Sequence, residues 1–233
     1  MRAFLILMFG VFGLAGCSMP PITVATVAPK AVTVTPDRQA ANMFVAVVQD
    51  VEPFVEEICV RTDARRNCDF RIVIDDTPGA QANAFQTVDR SGRPVIAFTL
   101  ALLDDIQNED EFAFVLAHEA SHHIAGHLER TQRNAAVGAM IFGELAGVAG
   151  TGLPSNVQAA REIGAAVASR AYSKDYELEA DMMAARIVTA AGYDALRGAA
   201  FFARIPDPGD QFLGSHPANA DRVAAVRRAV GAI

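Results

Sequence analysis

The stretch FAFVLAHEASHHIAGHLE, Phe112 to Glu129, decides how the rest of this chain is read. It is apolar and Ala-rich, and it reads as one helix. Residues four apart on a helix lie nearly above one another, so His118 and His122 can reach a single metal ion. Glu119 sits about 100° round the helix from His118, placed to take a proton from an attacking water. This H-E-x-x-H spacing is the minimum apparatus for zinc-assisted hydrolysis. His123 and His127 are also four apart, but they enclose only Ile124, Ala125 and Gly126, with no carboxylate to act as base. His118 and His122 are therefore the ligand pair. His127 is read as packing or hydrogen-bonding at the helix end, and His123 as solvated or structural. Asn108 can cap the helix, with Glu111 completing a capping-box-like pattern, and Glu109, Asp110 and Glu111 suit the positive end of its dipole. Its core face uses Phe112, Val115, Leu116 and Ala120.

Upstream, the chain opens with MRAFLILMFGVFGLAGC. One Arg, a short apolar run and small residues before Cys17 read as a cleaved signal over residues 1–16. Leu14-Ala15-Gly16-Cys17 resembles the bacterial lipoprotein signal, which implies diacylation of Cys17. The alternatives are an uncleaved anchor or an ordinary secretory signal. Ser18 resembles the outer-membrane sorting pattern, so the expected location is an outer-membrane lipoprotein facing the periplasm. Pro20, Pro21, Pro29 and Pro36 make residues 17–36 an extended tether. The domain then occupies residues 37–233. Asp37 to about Val60 has helical apolar spacing, with Asp37 as N-cap and Pro53 as a possible kink. In an exported protein Cys59 and Cys68 form a disulfide by default; two free thiols are the alternative.

Phe70 to Ile74 reads as a strand, Asn83-Ala84-Phe85 and Pro94 to Thr99 as two more, and Leu100 to Ile106 as a short helix. A small sheet beside the metal helix offers an edge that can pair an extended substrate backbone. The fold class expected is α+β, mostly helical. With 52% hydrophobic residues a core is readily built. The net charge is −7 and no basic stretch stands out, which argues against nucleic acid as a partner.

A catalytic zinc needs a third protein ligand. Downstream, Ala135 to Gly150 is apolar and rich in Gly and Ala; it reads as a packed helix or flap, or else as a surface for lipid or unfolded clients. Beyond it, Glu177 and Asp181 are four apart on one helical face, while Glu179 points elsewhere. One of the pair can bind zinc and the other can hold a histidine in its metal-binding tautomer.

These motifs resemble the HtpX-type gluzincin metallopeptidases, which include the CAAX prenyl-protein endopeptidases. Within them the nearest likeness is to soluble bacterial envelope members of the LoiP and BepA kind, and of these to the compact LoiP type. The family pattern is H-E-x-x-H followed by E-x-E-A-D, here Glu177-Leu178-Glu179-Ala180-Asp181. The resemblance implies Glu177 as the third zinc ligand, one Zn²⁺ per chain, and Glu119 as general base. It places Asn83-Ala84-Phe85 on an edge strand beside the cleft. Ser215-His216-Pro217 followed by Arg222 matches a further element, which implies His216 at the cleft as oxyanion stabiliser or gate. Arg222 would support the carboxylates, Asp181 included, or bind substrate backbone. The activity implied is zinc-dependent endoproteolysis of misfolded or misassembled envelope proteins, with the membrane reached through the N-terminal lipid. The competing expectation is a chaperone-like module for such clients, holding zinc but with latent or no proteolysis.

Overall fold

The computed structural model describes residues 38–148, 153–171, 173–207 and 217–232. The expected signal segment, Cys17, the tether and the Asp37 cap lie outside the described residues, as does His216. The elements run in chain order: α1 Arg38–Thr62, β1 Arg71–Asp75, β2 Ala84–Val88, β3 Pro94–Thr99, α2 Leu100–Asp105 and α3 Glu109–Ile124. They continue with α4 His127–Val148, α5 Pro154–Ala171, α6 Ser173–Ala190, α7 Ala195–Ala199, a 3-10 turn Ala200–Ala203 and α8 Asn219–Val230. This is the α+β architecture expected. Among the described residues no helix is long and apolar enough to cross a membrane.

The sheet order is β1-β3-β2, with β1 parallel and β2 antiparallel to β3. All six residues of the central strand β3 are buried, which suits its nearly continuous apolar run. β2 lies at an edge. Asn83 stands just before it and is fastened by main-chain contacts: its carbonyl accepts from Thr99 N at 3.0 Å, and its N–H donates to Thr99 Oγ1 at 2.9 Å. The same hydroxyl caps α2 by accepting from Leu102 N.

The helix α1 buries Val47, Val51, Val55 and Cys59, a stripe at strict i, i+4 spacing. It continues through Pro53, which sits on its exposed side. Cys59 is disulfide-bonded to Cys68, which ties the end of α1 to the entry of β1.

The helix α3 is buried around most of its circumference, including Phe112, Phe114, Leu116, Ala117 and Ala120. Small residues at 113, 117 and 120 let α1, α6 and α7 approach it closely. Gly198 of α7 is the tightest approach, since a Cβ there would meet Asp110 O at 2.6 Å. The N-terminus of α3 is anchored by side chains rather than by a simple capping box. Asn108 accepts from Glu111 N at 3.1 Å, as expected. The Glu111 carboxylate reaches Gln107 N instead of the cap residue, and it also pairs with Arg204. Arg204 comes from beyond the 3-10 turn, so local sequence gives no sign of it.

One expectation is corrected. Phe112 to Glu129 is not a single helix: α3 ends at Ile124 and α4 begins at His127. The break is at Gly126, with φ +67°, a left-handed conformation that residues with a Cβ rarely adopt. The helices α4 and α5 then pack antiparallel, with Gly138 against Gly164 and Gly143 against Arg161. Ala135 to Val148 is thus helix packed on a neighbour, yet Met140, Leu145 and Val148 are exposed by 58%, 62% and 89%.

Candidate metal centre

Two helices bring the chemistry together. The helix α3 contributes His118, Glu119 and His122, and α6, packed across it, contributes Glu177 and Asp181. The i, i+4 spacing on each helix aims two side chains at the same crossing point. His118 Nε2 and His122 Nε2 are 3.0 Å apart. Glu177 Oε2 lies 3.4 Å from His118 Nε2, and Glu177 Oε1 lies 3.4 Å from His122 Nε2. Four-coordinate zinc at about 2.0–2.2 Å from its donors sets those donors about 3.3–3.6 Å apart. The three donor atoms and their chemistry, two imidazoles and one carboxylate, therefore fit the ion. Among the described residues they form a metal-competent cluster that does not include Glu119.

Behind His118 stands a buried ion pair. His118 Nδ1 is 2.9 Å from Asp181 Oδ1. Arg222 of α8 holds the same carboxylate with both arms, Nε to Oδ2 at 2.8 Å and Nη2 to Oδ1 at 2.7 Å. Its guanidinium also lies over the Phe202 ring, 3.7 Å from the centroid. Burial pushes the Asp181 carboxyl up, but the hydrogen bonds from Arg222 and His118 outweigh it and hold it below the ordinary range. Of the two roles expected for Arg222, these contacts correspond to support of the ligand-side carboxylates, and the side chain also lines the cavity described below.

Behind His122 stands His127, hydrogen-bonded and packed at the helix end as read from the sequence, but against a candidate ligand, which that reading did not anticipate. His122 Nδ1 is 2.9 Å from His127 Nδ1, and His127 Nε2 is 3.2 Å from Glu179 Oε2. Arg130 donates to the same oxygen at 2.8 Å. Tyr176 stacks on the His127 ring at 4.7 Å with an interplanar angle of 11°. Glu179 is off the metal cluster, as expected, but it is engaged with the environment of a ligand. The available signals were a Gly just before His127 and an Arg three residues after it. His123 proves structural: it is buried, with Nε2 2.8 Å from Asn67 O and its ring edge-on to Phe70.

A cavity of about 670 Å³ opens over the cluster. His118, Glu119, His122 and Glu177 line it, as do Asn83, Ala84 and Phe85 at the sheet edge and an apolar group including Phe114, Val115 and Phe202. The expected metal ligands, general base and edge strand thus share one space. Asp181 stands behind it, fully buried.

Burial and the Arg222 charge push His118 down, but hydrogen bonds with Asp181 and Glu177 push it up to about 10. His122 is pushed down to about 3 by burial and then by the His118 charge. In the metal-free protein near neutral pH, His118 is therefore the protonated member of the pair, with a hydrogen on each ring nitrogen, and His122 is neutral. A metal needs the Nε2 of His118 bare, so metal binding must release the proton there. The sign follows: apparent zinc affinity rises with pH until His118 titrates. We expect about a tenfold gain per pH unit between about pH 7 and 9, with about one proton released per zinc. Chelator competition and calorimetry in buffers of different ionisation enthalpy read both quantities. A flat pH response would show that His118 is already neutral.

The family description that matches this chain is "Peptidase family M48", over residues 48–230. A comparison with curated proteins gives no match.

Proposed function

This chain belongs to peptidase family M48, and from that premise we propose that it is a zinc-dependent endopeptidase of the bacterial cell envelope. It would be a lipoprotein of the compact LoiP-like kind, acting on unfolded or misassembled envelope proteins. The observation that carries the catalytic part is the convergence of His118 Nε2, His122 Nε2 and a Glu177 oxygen on the cavity that Glu119 lines. The envelope part is supported by the Leu14-Ala15-Gly16-Cys17 signal pattern and by a disulfide, which persists in oxidising compartments.

His118, His122 and Glu177 would hold the ion. Zinc held there would supply Lewis acidity, making a water acidic enough to lose its proton near neutral pH. Glu119 takes the proton of the attacking water on its carboxylate and delivers it to the leaving amide nitrogen. Asp181 fixes His118 through Nδ1, and Arg222 keeps Asp181 charged. The outer edge of β2, from Ala84, aligns an extended polypeptide by main-chain hydrogen bonds. The apolar wall of Phe114, Val115 and Phe202 takes a side chain beside the scissile bond. A sheet edge reads backbone rather than sequence, which suits unfolded polypeptides as substrates.

The test is zinc stoichiometry together with cleavage of a casein-type unfolded substrate. We expect one zinc per chain, loss of cleavage on chelation and recovery on adding zinc back. Absence of stoichiometric zinc, or cleavage that survives complete chelation, would overturn the reading.

A further inference from the structure

We propose that His127 is a positioning residue that sets the tautomer and ring orientation of His122, with Glu179 and Arg130 fixing His127 in turn. The inference rests on reading His118, His122 and Glu177 as the zinc site.

A count of ring hydrogens leads to it. Glu179 Oε2 is a carboxylate oxygen and accepts only, so the 3.2 Å contact with His127 Nε2 places a hydrogen on that nitrogen. A neutral imidazole carrying its hydrogen on Nε2 has a bare Nδ1. His122 can offer Nε2 to a metal only when its own hydrogen sits on Nδ1, and the bare Nδ1 of His127 is placed to accept it. The hydrogen in the 2.9 Å contact between the two Nδ1 atoms therefore belongs to His122. His122 Nε2 is then bare, with its lone pair directed at His118 Nε2 and Glu177, where a metal would sit. The tautomer of the ligand is dictated by a carboxylate two groups away.

The backbone is built for this. On an unbroken helix His127 would lie about 140° round from His122 and could not face its ring. The left-handed Gly126 ends α3 and restarts the chain as α4, so that His127 stands beside Nδ1 of His122. The relay is also held rigid from outside. Tyr176 stacks on His127, and the Arg130 guanidinium lies 4.2 Å from the centroid of the same tyrosine while bonding Glu179. Both zinc histidines are thus backed by a carboxylate that an arginine holds. His118 reaches its carboxylate directly, and His122 through a second histidine.

Three measurements test the proposal. His127→Phe keeps a ring to stack on Tyr176 but removes both nitrogens; zinc affinity by chelator competition should fall about 10- to 100-fold. His127→Asn returns an acceptor oxygen near the Nδ1 position and should recover most of that loss. Nitrogen-15 NMR of the imidazoles in the zinc-loaded wild type should show the hydrogen on Nδ1 of His122 and on Nε2 of His127, which needs no variant to fold. Wild-type affinity in His127→Phe, equal losses in the two variants, or a hydrogen on Nδ1 of His127 would each overturn it. A wild-type protein that takes up no zinc would instead overturn the metal site on which the inference stands.

Discussion

Replacing Glu119 by Gln should lower kcat for cleavage of an unfolded substrate by about 10²- to 10⁴-fold, the usual worth of a positioned general base. The substitution keeps the shape of the side chain and removes its ability to take a proton. Zinc content should not change, because among the described residues the cluster of donor atoms consists of His118, His122 and Glu177, without Glu119. This separates Glu119 from its neighbours, since Glu177→Gln weakens one of the three donors and should lower zinc content and activity together. The informative comparison is therefore kcat per bound zinc. Glu119→Gln protein carrying one zinc and cleaving at the wild-type rate would remove Glu119 from the chemistry. If wild type and Glu119→Gln both held zinc and bound unfolded clients while neither cleaved them, the chaperone-like alternative would be favoured instead.

Much of this site was legible in the sequence because its parts are local and periodic. His118 with His122, and Glu177 with Asp181, are i, i+4 pairs, and helical geometry alone puts each pair on one face. The sheet was legible for a similar reason, since β3 is an apolar run bounded by turn residues. What escaped depends on contacts that periodicity does not encode. The role of His127 requires a chain break at Gly126, and a Gly in an Ala-rich helical pattern does not announce a left-handed turn. Glu111 has a capping-box position, but its ion-pair partner, Arg204, is 93 residues away. The apolar stretch from Ala135 shows the limit from the other side. Its composition gives a helix, but the partner that would cover Met140 and Leu145 is not written in local sequence.

Arg222→Leu should destabilise the metal-free protein by up to about 3 kcal/mol, less than a wholly uncompensated buried charge would cost, because the proton on His118 is left as a counter-charge for Asp181. Asp181 is fully buried and Arg222 nearly so, and the pair is joined by two hydrogen bonds of 2.8 and 2.7 Å. Solvent screening therefore does little to soften the loss. The pH dependence has a definite sign. In the wild type the Asp181 carboxyl is held below its ordinary value, so its contribution is present above the unfolded pKa of 3.8 and is lost as pH falls through the lower folded value. Without Arg222, burial still pushes the carboxyl up and the hydrogen bond and charge of His118 still push it down, so it moves up from its wild-type value. The variant's folded state then gains less than the wild type from ionising this carboxyl as pH rises. The gap between variant and wild type should thus widen from pH 4 towards pH 8 in urea titrations of chelated protein. Asp181→Asn added to Arg222→Leu should close part of that gap, because the buried charge itself is removed. A gap below about 1 kcal/mol at pH 8 would place the pair among exposed ion pairs in energetic terms. Its role behind His118 would then be confined to holding the ring, which zinc affinity measured on the same variant reads independently.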